Sequence, residues 1–111
     1  MADCIFCKIA SGEMGTEFVA ESGGLVAFND VNPQAPVHVL VVPKEHIETT
    51  NDLAPELAGA MVSLGVEVAR KLGVAEDGYR MVFNSGVDGG QEVPHVHLHL
   101  LGRRRLGWPP G

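Results

Sequence analysis

Basic charge is scarce in this chain. Eight Lys and Arg stand against fourteen Asp and Glu, for a formal net charge of -6, which argues against nucleic acid or an anionic membrane surface as the main partner. No apolar run reaches the roughly 18 residues of a membrane span. No charged and apolar leader precedes a small-residue cleavage site, so a soluble cytoplasmic protein is expected. Cysteine is scarce too, with Cys4 and Cys7 the only two. In a reducing compartment their spacing points to metal or redox chemistry more than to a structural disulfide. Repeats, low-complexity tracts and interdomain linkers are also missing, and 111 residues fit one domain, 1–111. A domain of that size buries only about two-thirds of the surface its unfolded chain exposes, so its core is modest and dimerisation is a natural supplement.

What is present alternates between strand and helix patterns. Residues 3–10 predict a short helix capped by Asp3 and stopped near Ser11 and Gly12. Residues 17–20 and 25–29 predict a hairpin turning on residues 21–24, and Pro33 and Pro36 make 32–36 a loop. Residues 37–43 are rich in β-branched side chains and end at Pro43, the pattern of a central strand. Their one polar member, His38, needs a partner if buried. Between 51 and 73, Leu53, Leu57, Met61, Leu64, Val68 and Leu72 form one apolar helical stripe, with Asn51 or Asp52 to cap it and Gly73 to close it. Met61 on that stripe is core filler rather than a ligand. Residues 79–84 predict another strand, and the tail 103–111 is irregular. These elements specify an α+β fold: an antiparallel sheet of about five strands, one long helix and one short one.

The chemistry concentrates in residues 95–101, where His95, His97 and His99 alternate with Val96, Leu98 and Leu100. In an extended strand this period puts the imidazoles on one face and the apolar residues on the other. Residues two apart on a strand lie roughly 6.6 Å apart and four apart about 13 Å, so a single metal cannot use all three histidines. Two alternatives remain: a polar strand facing solvent, or an imidazole attacking an electrophile while its neighbours hold its tautomer and its target. His38 favours the second. The glycine-rich segment 86–91 is either a plain turn or a source of unobstructed N–H groups for a phosphate oxygen.

The chain resembles the histidine triad (HIT) superfamily, and within it the Hint branch of nucleoside phosphoramidate hydrolases. The resemblance is carried by Ile5, Phe6, Lys8 and Ile9, by residues 27–36 before the His38 strand, and by Pro43, Lys44, His46 and Ile47. It continues through Asn84, Gly89, Gly90 and Gln91, the triad, and Trp108-Pro109-Pro110-Gly111. It implies a HIT-like fold and attack by His97 on the α-phosphorus of a purine nucleoside 5'-phosphoramidate, through a nucleotidyl-histidine, to AMP or GMP and an amine. It implies that His99 holds a phosphate oxygen while His38 and His95 orient and polarise the nucleophile, with no catalytic metal. Asp30 matches the ribose contact. Ile5, Phe6, Ile9, Phe28 and Val31 match the base slot, and Asn84, Gly90 and Gln91 match phosphate-side contacts. A homodimer is implied, with Trp108 near the partner's active site.

Two departures stand out against that pattern. Glu92 replaces a serine beside the leaving group, where it offers a proton to an amine but repels phosphate. Arg103, Arg104 and Arg105 follow Gly102 where relatives carry a second glycine, as either a solvated run or an attraction for anions. The resemblance further implies a structural Zn2+ held by Cys4, Cys7, His46 and His95. The other possibility is two small buried thiols beside a surface His46. A dinucleoside polyphosphate hydrolase of the same fold and a nucleotide-binding regulatory or interaction module remain the alternative functions.

Overall fold

The computed structural model describes residues 3–111. Its elements are α1 (Ile5–Ala10), β1 (Ala20–Ser22), β2 (Leu25–Asn29), β3 (Val37–Pro43), α2 (Pro55–Lys71), β4 (Tyr79–Phe83) and β5 (Leu98–Gly102). The strands form one antiparallel sheet in the order β1-β2-β3-β5-β4, with a helix on each face. The α+β fold read from the sequence is therefore the observed one. Among the described residues no helix is long and apolar enough to cross a membrane.

Burial on both faces explains the composition of β3. Val37, Val39 and Val41 pack with Leu98 and Leu100 against Met61, Leu64 and Val68 of α2. Leu40 and Val42 pack on the opposite side with Val26, Phe28 and Phe6 of α1. His38, between them in sequence, shares the α1 face by the twofold period of the strand. Met61 is fully buried in the α2 core, as its place on the stripe implied.

Four boundaries differ from the sequence expectation, each for a local reason. In α1 the cap is Cys4, whose Sγ accepts the Cys7 N–H at 3.4 Å, and not Asp3. The hairpin turns on Gly23 and Gly24 alone, because Gly23 takes φ 56° and lets Glu21 and Ser22 extend β1. Asn51 and Asp52 do not cap α2. They belong to a separate 3-10 turn, and α2 starts at Pro55, whose ring fixes φ and clashes with a carbonyl four residues back in a continuous helix.

The fourth difference matters most for chemistry. The ladder of β5 begins at Leu98, so His95 and His97 precede the strand rather than lying in it. The register would pair Val96 with Pro43 and His97 with Asn84, but Pro43 has no N–H and Asn84 turns away into the glycine-rich loop. Freed from the ladder, Val96 donates instead to Ile47 O at 2.6 Å.

Candidate active site

Four imidazoles lie side by side where the sheet frays. His95 and His97 meet the Phe6 ring edge-on, with centroids 6.0 and 4.9 Å away. The His97 and His99 rings are 4.8 Å apart, and His99 and His38 are 5.2 Å apart. The shared face predicted for the triad thus persists, although only His99 sits in the ladder. His38 does find the partner its burial demanded.

Hydrogen bonds assign a tautomer to each ring. His97 Nδ1 lies 2.7 Å from the His95 carbonyl, so it carries the proton and Nε2 keeps its lone pair. His38 Nδ1 accepts the Gln34 N–H at 3.0 Å, so the His38 proton is on Nε2 and is donated to His99 Nδ1, 2.9 Å away. Asp30 Oδ2 stands 3.4 Å from that Nε2. His99, accepting on Nδ1, carries its own proton on Nε2. His95 Nε2 donates to Pro43 O at 2.8 Å, which leaves its Nδ1 facing Cys4 Sγ at 3.3 Å and Cys7 Sγ at 3.5 Å. The sequence posed a choice for His95 between supporting the nucleophile and ligating a metal. Its main chain serves His97 while its ring serves the thiols.

Burial keeps the rings neutral. Desolvation pushes His38, His95 and His97 below the usual histidine range, against the opposing pull of Asp30 on His38, of Pro43 O on His95 and of the His95 carbonyl on His97. His99 falls to about 4, from burial first and then from His97 and His38 beside it. A neutral imidazole with a fixed free lone pair is a nucleophile or base, and a neutral one with its N–H aimed outward is a donor.

His97 and His99 open onto a cleft of about 390 Å³. Its apolar lining includes Ile5, Phe6, Ile9 and Phe28, with Asp30 and Val31 also at the cleft; Asn84, Gly90 and Glu92 line it as well. Leu40, Asn32 and Val93 join them unforeseen. Leu40 was legible, since it follows His38 by two on one strand face, whereas nothing in the sequence marks Val93. Of the residues expected at the substrate within this chain, Gln91 is elsewhere. Gln91 spends its amide on Glu48 O and Val93 O and its oxygen on the Gly86 N–H, and so ties down the loop. Trp108 is 83% exposed and lies outside the cleft lining. The loop N–H groups of Gly86, Gly90 and Gln91 all bond within the loop itself. Gly89 is obligatory there, because an added Cβ would come within 2.4 Å of Ser85 O.

Among the described residues two side-chain clusters have metal-ligand spacing, each with donor atoms within 4.8 Å of one another. Cys4, Cys7, His46 and His95 fit a divalent cation. They make an S2N2 set, and His46 Nδ1 lies 3.3 Å from Cys7 Sγ. Burial, and next the neighbouring Cys4, push the Cys7 thiol up, a cost that a cation would remove. Asp30, His38 and His99 do not fit. Gln34 N–H occupies one His38 nitrogen, and the Nε2–H bond to His99 occupies both ring atoms that would ligate.

A sheet face that presents a buried, tautomer-fixed imidazole to a cleft of this size is suited to imidazole chemistry. The family model for the HIT domain matches residues 11–106. The purine nucleoside phosphoramidase of Escherichia coli strain K12 is 43% identical over 108 residues, 95% of this chain and 91% of that protein. Protein HitA of Neisseria gonorrhoeae is 44% identical, covering 92% and 97% of the two chains. The crystal structure of a HIT family hydrolase from Legionella pneumophila superposes with TM-score 0.93 at 48% identity, over 98% of this chain and all of that one. A Zn-bound histidine triad protein from Mycobacterium smegmatis matches at TM-score 0.84 and 31% identity, over 99% and 81%. The chain belongs to the HIT family, and its site is that of a hydrolase.

The depressed histidines set the pH dependence of stability. Unfolded, each titrates near 6.5; folded, each titrates lower, and His99 near 4. Below pH 6.5 the unfolded chain therefore binds protons that the folded chain does not, and stability falls with falling pH. With chelator present throughout, the melting temperature is flat from about pH 7 to 8 and drops steadily from 6.5 to 4, with a shallower drop in His99→Gln. A melting temperature unchanged between pH 7 and 5 would contradict this.

Proposed function

We propose that the chain is a nucleoside phosphoramidase that cleaves the P–N bond of purine nucleoside 5'-phosphoramidates, the whole of residues 1–111 acting as one HIT domain. The observation that carries this is the 2.7 Å bond from His97 Nδ1 to the His95 carbonyl, which leaves Nε2 unprotonated at the cleft. His97 Nε2 attacks the α-phosphorus and the P–N bond breaks. The departing nitrogen takes a proton, delivered by Glu92. Water then attacks the nucleotidyl-His97 phosphorus, returns a proton to Glu92, and releases AMP or GMP with His97 restored. His99 Nε2–H donates to a non-bridging phosphate oxygen, held in that tautomer by His38, and Asp30 receives the ribose hydroxyls. Ile5, Phe6, Ile9, Phe28 and Val31 take the base, while Asn84 and Gly90 flank the phosphate. Positioning and charge neutralisation do the work. The proton that Glu92 delivers serves an amine leaving group and is not needed by a polyphosphate, which weighs against a dinucleoside polyphosphate substrate.

Two further readings belong to the same proposal. Cys4, Cys7, His46 and His95 hold a structural zinc, whose charge stabilises the two thiolates and pins α1 to the sheet. Free thiols at Cys4 and Cys7 suit a reducing, cytoplasmic setting. The exposure of Trp108 and the position of β4 at the sheet edge support a homodimer, in which Trp108 approaches the partner's cleft.

Turnover of adenosine 5'-phosphoramidate to AMP tests the activity, and His97→Ala lowers kcat/KM by about 10³-fold or more, the scale of losing a covalent nucleophile. Full turnover by that variant would sink the assignment. Native mass spectrometry of protein purified without chelator finds a dimer with one zinc per chain. A zinc-free species, or one of only 11.8 kDa, would overturn the corresponding reading.

A further inference from the structure

The hydrogen bonds around His38 continue past the cleft to the C-terminal segment. His99 can offer an N–H to phosphate only while its Nδ1 accepts from His38, and His38 donates there only while its own Nδ1 accepts from the Gln34 N–H. The proton arrangement of both rings therefore rests on one main-chain N–H.

That N–H sits on an exposed loop. Residues 31–34 are all exposed, and the internal bonds of the loop, Asn32 N–H to Asp30 Oδ1 and Gln34 Nε2 to Asn32 O, do not anchor it to another part of the chain. Apart from the His38 bond itself, the anchor for Gln34 among the described residues is Arg104, whose Nε–H donates to the Gln34 carbonyl at 2.9 Å across 70 positions of sequence. The guanidinium is not near the reacting groups. It lies with Pro36, Asp77 and Arg105 around a separate hollow, and its Nη1 reaches Arg105 O at 3.4 Å. Its neighbours are spent on other carbonyls, Arg103 on Leu72 O and Arg80 on Gly107 O. Within the exposed arginine run, Arg103 and Arg104 are thus tied to main-chain carbonyls.

We infer that Arg104 is a positioning residue for the hydrolase: by holding the Gln34 carbonyl it keeps the Gln34 N–H on His38 Nδ1, which fixes the His38–His99 proton arrangement. This rests on the proposed role of His99 toward phosphate for its catalytic consequence, but not for the tautomer itself. An Arg suits the task because its planar fork directs Nε–H and Nη–H at two carbonyls at once, which an ammonium cannot do with the same geometry. Water can replace part of the lost bond, so the loss in rate is about tenfold, below the roughly 10²-fold that a 1 Å misplacement can produce.

The test pairs kinetics with nitrogen NMR of the histidine rings in the full-length protein, comparing wild type, Arg104→Ala and Arg104→Lys. Wild-type His38 shows a single Nε2–H tautomer. Arg104→Ala shows a mixture, with kcat on adenosine 5'-phosphoramidate down about tenfold and KM little changed, and Arg104→Lys falls between the two. A lower melting temperature with the His38 tautomer intact would mark a merely structural residue and overturn the inference. So would a mixed tautomer with unchanged kcat. If the tautomer mixes but the wild type itself lacks turnover, the proposed activity fails while the link from Arg104 to His38 stands.

Discussion

The bond from His97 to the carbonyl of His95 is the constraint on which the rest of the site depends. It fixes which nitrogen of His97 is free, and it does so from a residue that is itself immobile: His95 is completely buried, its Nε2 on Pro43 O and its Nδ1 between two thiols. Pro43 therefore acts twice. Its missing N–H ends the ladder and releases residues 95–97 from strand geometry, and its carbonyl then captures the ring that the release set free. The orientation of the His97 ring, strand termination and the Cys–His cluster are consequences of one local arrangement. A substitution that lets His95 rotate would disturb all three.

The sheet divides its two faces between stability and chemistry. The α2 face is wholly apolar, built on Val39, Val41, Met61, Leu98 and Leu100. The α1 face mixes Phe6, Phe28 and Leu40 with four histidines, and the apolar neighbours do electrostatic work there by withholding water from the rings. Desolvating an imidazole without a partner would cost free energy. Here every ring has one, and no buried side-chain nitrogen or oxygen among the described residues lacks a partner. The arrangement holds neutral imidazoles at neutral pH, at the expense of stability in acid.

Much of this was legible because it rests on side-chain period. The alternation of His95, His97 and His99 with apolar residues gave the correct face, and the near absence of polar residues in β3 marked His38 as a site residue. What escaped was carried by the backbone. Gln34 N–H, Pro43 O and His95 O decide every tautomer, yet a main-chain atom has no signature in a sequence. The glycine-rich loop is tied in the same way: the N–H groups of Gly86, Gly90 and Gln91 go to Gln91 Oε1, Val87 O and Gly86 O, partners that a sequence does not mark. Pro55 was a signal present but outweighed by the apolar stripe that runs through it. Arg103 takes φ 67°, a left-handed conformation that glycine adopts freely and that nothing in the sequence leads one to expect of an arginine.

The central claim is that His97 Nε2 is the atom that bonds to phosphorus. Rapid acid-free quenching after brief incubation with adenosine 5'-phosphoramidate, followed by peptide mass spectrometry, tests it most directly. The account predicts an adenylyl adduct confined to His97. An adduct on His95, His99 or His38, or turnover through a single inverting displacement at phosphorus with no adduct at all, would contradict it.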